Sequence, residues 1–120
     1  MNVDQALERI DFAKGGGLVP VVVQDARTRD VLMLGYANAE ALERTMQSGR
    51  LHFWSRSRNE LWLKGKDSGN YLLVQRLSFD CDCDTLLAEV SAATGETPVC
   101  HTGADSCFFT EIVSDKDGAI

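Results

Sequence analysis

Aspartate and cysteine alternate in the short stretch DCDCD. Side chains of an extended strand alternate between two faces, so the three aspartates share one face and the two cysteines share the other. Carboxylates about 6.6 Å apart along a strand repel one another unless a cation lies among them. Oxygen ligands suit magnesium, calcium or manganese, whereas thiolates suit zinc. The stretch therefore predicts a strand with two metal-binding faces, one formed by Asp80, Asp82 and Asp84 and the other by Cys81 and Cys83.

The aspartate spacing resembles the start of an EF-hand calcium loop, but the later positions do not fit. An EF-hand needs glycine at loop position six and glutamate at position twelve. Counted from Asp80, these positions hold Thr85 and Ser91. The EF-hand is therefore excluded, and a solvated acidic strand end followed by a helix cap stays open as the alternative to a metal site.

Four cysteines lie at positions that do not match a common zinc finger, namely Cys81, Cys83, Cys100 and Cys107. Three interpretations stay open. In the first, Cys83 and Cys107 are merely small buried hydrophobic groups. Alternatively, four thiolates form a structural zinc site, or three thiolates form a catalytic site that keeps one position for water. Clustered thiols in a reducing compartment more often bind metal or do chemistry than form disulfides.

Other candidate residues lie near these metal-binding side chains or in a basic segment. His101 directly follows a cysteine, where an imidazole can serve as a general acid or base, a metal ligand or a hydrogen-bond donor. Lys64 and Ser68 lie in a glycine-containing loop that suits an anionic ligand. Arg56 and Arg58 point the same way if they lie in a strand, which suits a phosphate.

Composition limits the possible function classes. The chain has 120 residues, which predicts one domain over residues 1–120. Its formal net charge of −6 argues against general binding to nucleic acid or anionic membranes. The sequence contains neither a secretory signal pattern nor an apolar run long enough for a membrane span. We therefore expect a cytoplasmic protein.

Apolar periodicity and turn residues divide the chain into about six strands and three helices. This irregular order favours an α+β fold, with a small, mainly antiparallel sheet and a few helices, over a doubly wound fold. The third helix is predicted to begin at Asp84 and to end at Gly95, and residues 96–106 to form a loop. The other predicted helices are residues 3–13 and 38–48, and the predicted strands are residues 18–24, 31–36, 51–54, 60–63, 71–79 and 107–113.

Four motifs occur together in the order found in one enzyme family. They are FWSRSR at 53–58, LWxKGxxSGN at 61–70, DCDxDxLL at 80–87 and CHTGxxSCFF at 100–109. On these motifs the chain, from about residue 18 to residue 109, resembles the phosphoribosyl-AMP cyclohydrolase family. This family performs the third step of histidine biosynthesis.

The resemblance implies an intertwined homodimer of small, β-rich α+β subunits and two kinds of metal ion. It implies one zinc per subunit, with ligands drawn from both subunits. The implied zinc ligands are Cys81, Cys100 and Cys107, and the implied magnesium ligands are Asp80, Asp82 and Asp84. Position 83 is usually not cysteine in this family, so we expect Cys83 to be a bystander. A fourth thiolate on the zinc would leave no position for water.

The resemblance also implies the reaction. A zinc-activated water opens the adenine ring of 1-(5-phosphoribosyl)-AMP at the N1–C6 bond, and His101 moves the proton. Magnesium, Arg56, Lys64 and Ser68 are expected to place the substrate phosphates. Two other functions stay open, namely a non-catalytic structural zinc module and a zinc hydrolase of another modified purine.

Overall fold

A computed structural model describes residues 1–93, 95 and 99–114 of the chain. Within these residues the chain forms two α-helices, a short 3₁₀ turn at Ala13–Gly15 and six strands. The helices are α1 (Val3–Arg9) and α2 (Ala39–Ser48), and the strands are β1 (Val19–Asp25), β2 (Val31–Ala37), β3 (His52–Ser55), β4 (Glu60–Leu63), β5 (Leu72–Phe79) and β6 (Leu86–Ala92).

Four of the strands form one mixed sheet in the order β2-β1-β6-β5, and β3 and β4 form a separate hairpin. The β1–β2, β5–β6 and β3–β4 pairings are antiparallel, whereas β1 and β6 run parallel. The predicted α+β class with mainly antiparallel pairing is therefore confirmed, with one parallel pairing added. The first five strands begin and end within one residue of their predicted limits.

Strand β1 lies in the middle of the sheet and supplies one row of the core. Val19, Val21 and Val23 alternate along it, and each has an exposed fraction of at most 1%. This alternation is what a strand that buries one face against a core requires. Pro20 lies near the start of β1, just before the pairing with β6 begins at Val21. The missing N–H of the proline therefore interrupts little of the ladder.

Both α-helices begin at asparagine caps. The Asn2 side chain accepts a hydrogen bond from the Gln5 backbone, and the Asn38 side chain accepts one from Ala41 at 2.8 Å. Helix α2 ends at Gly49, whose φ of 75° is the left-handed conformation typical of a helix stop. Helix α1 ends at residue 9, earlier than the predicted residue 13. The spacing of Leu42, Thr45 and Met46 predicts one apolar face of α2, and Met46 departs from it with a side chain that is 48% exposed.

The predicted helix after Asp84 is wrong, since this segment is strand β6. The apolar residues fit either period over so short a run. Strand pairing decides between them, because β6 is bonded to β1 on one side and to β5 on the other. Leu86, Ala88 and Val90 then alternate onto the core face with exposed fractions of 0–2%. Tertiary pairing on both edges therefore overrides the local helical pattern.

The predicted strand over residues 107–113 is also wrong, because no regular structure forms between residues 107 and 114. Several apolar side chains of this segment are exposed rather than paired in the sheet. The predicted loop at residues 96–106 lies partly outside the described residues. Residues 115–120 also lie outside them.

We expect Gly35→Ala to lower the free energy of unfolding by about 1–3 kcal/mol, the usual cost of overpacking a core. A Cβ at Gly35 would lie 2.6 Å from the ring of Phe53, which is fully buried. Urea denaturation measures the change. The control is Gly15→Ala, where no atom lies within 4 Å of the added Cβ. Equal urea midpoints for the two variants would contradict the expected clash.

Candidate active site

The aspartate and cysteine stretch forms the tight turn between β5 and β6, so the predicted extended strand is wrong. The Asp80 backbone N–H donates to the Thr85 carbonyl at 3.0 Å, and the Cys83 N–H donates to the Asp80 carbonyl at 3.0 Å. Cys83 has a φ of 59°, the left-handed conformation, which breaks the strand alternation at its centre. The turn follows from the register of β5 and β6, which pairs Phe79 with Leu86 and leaves six residues to connect them.

The three aspartates lie close together because of this turn, and not because they share one face of a strand, as predicted. One oxygen of each carboxylate lies within 4.8 Å of the others in the group Asp80, Asp82 and Asp84. The Asp80 carboxylate accepts hydrogen bonds from the backbone N–H groups of Asp84 at 3.1 Å and Thr85 at 3.3 Å. Among the described residues, these aspartates are the only such group of three or more histidine, cysteine, aspartate or glutamate side chains. The arrangement suits a hard divalent cation that takes oxygen ligands.

A lysine from the N-terminal segment already contacts this acidic turn. The Lys14 ammonium lies 2.6 Å from the Asp84 carboxylate and forms an ion pair with it. The segment is held there by the Asp11 N–H, which donates to the Cys83 carbonyl at 2.7 Å, and by the Lys14 N–H, which donates to the Asp11 carboxylate at 3.1 Å. The hydrogen bond from Lys14 holds the pKa of Asp84 below its usual value, and the same contact raises the pKa of Lys14.

The second half of the site is a loop that contains two cysteines. The Cys107 N–H donates to the Leu32 carbonyl at 2.7 Å, and the Ser106 hydroxyl donates to the Val31 carbonyl at 2.8 Å. These bonds fasten the loop to the start of β2. The Cys100 N–H donates to the Ala104 carbonyl at 3.1 Å, which closes the turn that precedes the second cysteine.

The thiols of Cys100 and Cys107 contact each other within this loop. Hydrogen bonds from Thr102 lower the pKa of the Cys100 thiol, and the hydroxyl of Thr102 lies 3.0 Å from the sulfur. Burial raises the pKa of the Cys107 thiol, as does its hydrogen bond with Cys100. Neither cysteine forms a disulfide. Two adjacent free thiols, one of them stabilised as a thiolate, are the donors that zinc prefers.

The third predicted zinc ligand does not join this pair within one chain. Cys81, on the turn that precedes Leu86, lies at the end of the sheet where β1 begins, since Val21 pairs with Leu86. Cys107 is bonded to Leu32 near the start of β2, and this antiparallel strand begins where β1 ends. The predicted zinc ligands therefore lie at opposite ends of the four-stranded sheet, and they form no metal-binding group in the described chain.

An apolar groove of about 440 Å³ lies beside Cys81, between α1, α2 and the end of β5. Cys83 lines the same groove, together with Ile10, Leu42 and Phe79. The two cysteines of the turn therefore face one region, as the sequence predicted, although the backbone between them is not a strand. Cys81 is exposed and Cys83 is half-buried.

The predicted acid/base residue and the predicted phosphate ligands lie on separate parts of the chain. His101 is exposed in the turn that directly follows Cys100. Arg56 lies in the turn between β3 and β4, not in a strand, and its guanidinium stacks 3.8 Å from the Tyr36 ring centre. Lys64 and Ser68 follow β4 at the other end of that hairpin, so about 10 Å of strand separates their backbone from that of Arg56.

Comparisons with known proteins assign the chain to a family. The family described as phosphoribosyl-AMP cyclohydrolase matches residues 33–109. A protein of Clostridium botulinum (strain 657 / Type Ba4), named phosphoribosyl-AMP cyclohydrolase, is 49% identical over 113 residues, which cover 94% of this chain and 100% of that protein. Proteins with the same name from Streptococcus sanguinis and Streptococcus mutans are 50% and 53% identical, with coverage of 92% and 89% of this chain and 94% and 95% of theirs.

The chain belongs to the phosphoribosyl-AMP cyclohydrolase family. The resemblance inferred from the four motifs is therefore confirmed. The family match contains all the predicted metal, acid/base and substrate residues, because every one of them lies between residues 33 and 109. No described helix combines the length and the hydrophobicity that a bilayer span requires.

Sequence reasoning missed two residues at the candidate site. Lys14 lies 70 positions before Asp84, and no local pattern signals their contact. Thr102 lies inside the CHTG motif, but only the structure shows its hydroxyl directed at the Cys100 sulfur. The spacing of two residues between Cys100 and Thr102 is the one signal that was available, because a short turn can direct such a hydroxyl back onto the sulfur.

We expect Lys14→Met to lower the free energy of unfolding near pH 7, with a deficit that disappears in strong acid. The pKa of Asp84 is depressed in the folded state, so the pair stabilises the fold above the usual carboxyl pKa. This contribution is lost as the pH falls through the depressed value. The pKa of Lys14 is raised, so its contribution is present below its usual pKa of 10.5 and is lost as the pH rises through the raised value.

Urea midpoints of wild type and variant between pH 2 and pH 8, in metal-free buffer, measure this difference. The control is Lys66→Met, which removes an exposed lysine from the loop after β4. Identical midpoints for wild type and the Lys14 variant at pH 7 would show that the ion pair does not stabilise the fold.

Proposed function

We propose that this protein hydrolyses 1-(5-phosphoribosyl)-AMP in histidine biosynthesis. The observation that carries the proposal is the family match over residues 33–109, which contains every predicted site residue. The relatives that cover nearly the whole chain are named for the same activity. Water adds to C6 of the adenine ring and the N1–C6 bond breaks. C6 keeps the oxygen as a carboxamide, and N1 leaves as the nitrogen of an amidine after it gains a proton.

The cysteine pair supports a zinc site. Cys100 and Cys107 are free thiols in direct contact, and the Thr102 hydroxyl donates to the Cys100 sulfur. The ligands that we propose for zinc are these two cysteines and Cys81. Zinc held by three thiolates would lower the pKa of a bound water and so supply the nucleophile near neutral pH.

We propose that Cys81 comes from a second subunit, which completes the zinc site. Within one chain Cys81 lies at the opposite end of the sheet from the other two cysteines. The sheet is rigid, so one chain cannot bring Cys81 to the other two cysteines. A two-fold pair of subunits can place the Cys81 end of one sheet beside the Cys100 and Cys107 end of the other. The apolar groove beside Cys81 offers a surface for the partner.

The segment after Cys107 supports the same homodimer. Its apolar side chains are 60–81% exposed, namely those of Phe108, Phe109, Ile112 and Val113. A contiguous exposed apolar segment of this kind marks a contact with another surface. The radius of gyration of 15.1 Å also exceeds the value of about 13–14 Å expected for a compact domain of this size. The segment that follows the cysteine pair is therefore the proposed arm that reaches the partner.

The remaining residues position the substrate and move the proton. His101 is exposed next to Cys100, so its imidazole can reach a substrate held at the cysteine pair and transfer a proton to the leaving nitrogen. We propose that Arg56 and Ser68 contact the substrate phosphates. Magnesium on the aspartate group would neutralise part of the phosphate charge. The aspartate oxygens within 4.8 Å of one another support this second metal site.

We expect Cys81→Ser and Cys107→Ser each to lose zinc and turnover, because each removes one thiolate. If the site is shared, mixing the two inactive variants restores about a quarter of wild-type turnover, because half of the dimers are mixed and each mixed dimer keeps one intact site. Turnover of phosphoribosyl-AMP and zinc content per subunit are measured after the subunits exchange. The matched control is Cys83→Ser, which keeps both zinc and turnover if that residue is a bystander.

No recovery on mixing would show that each chain supplies its own ligands. Loss of zinc from the Cys83 variant would make that residue a ligand instead. Unchanged turnover in fully zinc-free wild type would overturn the zinc site altogether.

We expect His101→Ala to reduce turnover by about 10²–10⁴-fold, the usual contribution of a general acid or base, while zinc content and the urea midpoint stay unchanged. The absorbance change on ring opening measures turnover, with zinc-saturated protein. Thr102→Val is a useful comparison, because it removes a contact to Cys100 without removing the imidazole.

If His101→Ala turns over substrate as fast as wild type, His101 is not the acid or base. Wild type that binds zinc but opens no substrate would favour a structural zinc module. Faster turnover of another N1-modified purine in competition would favour a different hydrolase.

A further inference from the structure

Lys64 lies at the cysteine pair and not in an open anion-binding loop. Its ammonium donates to the Val99 carbonyl at 2.7 Å, across 35 positions of sequence. Val99 is buried and directly precedes Cys100. The lysine thus joins the end of the β3–β4 hairpin to the segment that presents the first cysteine of the pair.

The backbone around Lys64 holds the side chain in this direction. The Lys64 N–H donates to the Leu51 carbonyl at 3.2 Å, which continues the hairpin by one residue. Gly65 follows with a φ of 90°, and a Cβ there would overlap the carbonyl of Asn70. Only glycine fits this close approach, so the chain folds back directly after the lysine. The ammonium also lies 5.4 Å from the centre of the Trp62 ring, within the range of a cation–π contact.

The positive charge of Lys64 lies beside the cysteine pair. Its ammonium is bonded to the carbonyl of the residue that directly precedes Cys100, and a positive charge at this place favours nearby thiolates. The side chain is half-buried, so water screens this interaction less than it would at the surface. Three thiolates around a divalent ion carry a net charge of −1, which one ammonium balances.

We propose that Lys64 is a positioning residue of the metal site, which holds the segment leading into Cys100 and compensates the charge of the thiolates, and that it does not bind substrate phosphate. This inference rests on the proposed function in one respect, namely that Cys100 and Cys107 are metal ligands. The lysine acts through the Val99 carbonyl and through its charge, without a bond to the metal.

Cobalt titration of metal-free protein tests the inference without the reaction. Thiolate ligands give cobalt an intense charge-transfer absorption, so binding is seen directly, and competition with a chelator gives the affinity. We expect Lys64→Met to weaken cobalt binding by about 10–100-fold, the usual effect of removing an outer partner of a metal ligand. The KM for phosphoribosyl-AMP in the zinc-saturated variant is expected to stay within about twofold of wild type. The reason is that Lys64, in this proposal, does not contact the substrate.

Two further variants separate the possible causes. Lys64→Gln keeps an N–H donor without the charge, and we expect it also to weaken cobalt binding, which shows the part played by charge. Lys66→Met is the matched control, because it removes an exposed lysine two positions along the same loop. We expect this control to leave cobalt affinity and KM unchanged. Circular dichroism of each metal-free variant checks the fold. If the methionine variant does not fold, cobalt binding by the glutamine variant tests the inference.

Wild-type cobalt affinity in both Lys64 variants would overturn the inference. An increase of tenfold or more in KM with unchanged cobalt affinity would return Lys64 to the substrate phosphates. A different result identifies failure of the proposed function itself. If wild type gives no thiolate-to-cobalt absorption, the cysteines are not a metal site, and the positioning role ends with it.

Discussion

The pairing of β6 between β1 and β5 is the constraint on which the rest of the structure depends. It places Leu86, Ala88 and Val90 in the core and satisfies backbone groups on both edges of the strand. A strand paired on both sides has a fixed register, because a shift of one residue would turn its apolar side chains to the opposite face. The turn that enters β6 and the segment that leaves it are therefore set at opposite ends of the sheet.

The two sets of candidate ligands follow from this arrangement. The entering turn carries the carboxylates, and hydrogen bonds from backbone N–H groups to Asp80 hold it closed. The segment beyond the strand carries Cys100 and Cys107, which return to the start of β2. Within one chain the aspartates and Cys81 therefore lie at one end of the sheet, and Cys100 and Cys107 lie at the other. One chain brings the three aspartates together, but it brings together only two of the three proposed zinc ligands.

Positive side chains lie beside both sets of ligands, and each is fixed by contacts that are distant in sequence. Lys14 is paired with Asp84 across 70 positions, and Lys64 reaches the Val99 carbonyl across 35. Each ammonium lies where negative charge accumulates when ligands are deprotonated. In a chain with a net charge of −6, these two lysines reduce the repulsion within the two groups of candidate ligands.

The sequence alone was enough to predict the family and most of the local structure. The four motifs, the caps at Asn2 and Asn38 and five of the strands depend on nearby residues, so they can be recognised from spacing and side-chain type. Leu86 to Val90 could not be assigned in this way, because their apolar pattern fits a helix or a strand. Pairing with β1, some 65 positions earlier in the sequence, settles the choice.

Which side chains meet depends on the tertiary structure. The three aspartates gather because a left-handed residue at Cys83 closes the turn, which no strand periodicity could predict. Cys81 is separated from the other two cysteines because the directions and registers of the strands place them at opposite ends of the sheet. The direction of Lys64 depends on a fold-back at Gly65 and on a carbonyl far along the chain. Such contacts come from chain topology, and the type of a residue carries no information about which distant neighbour the topology will give it.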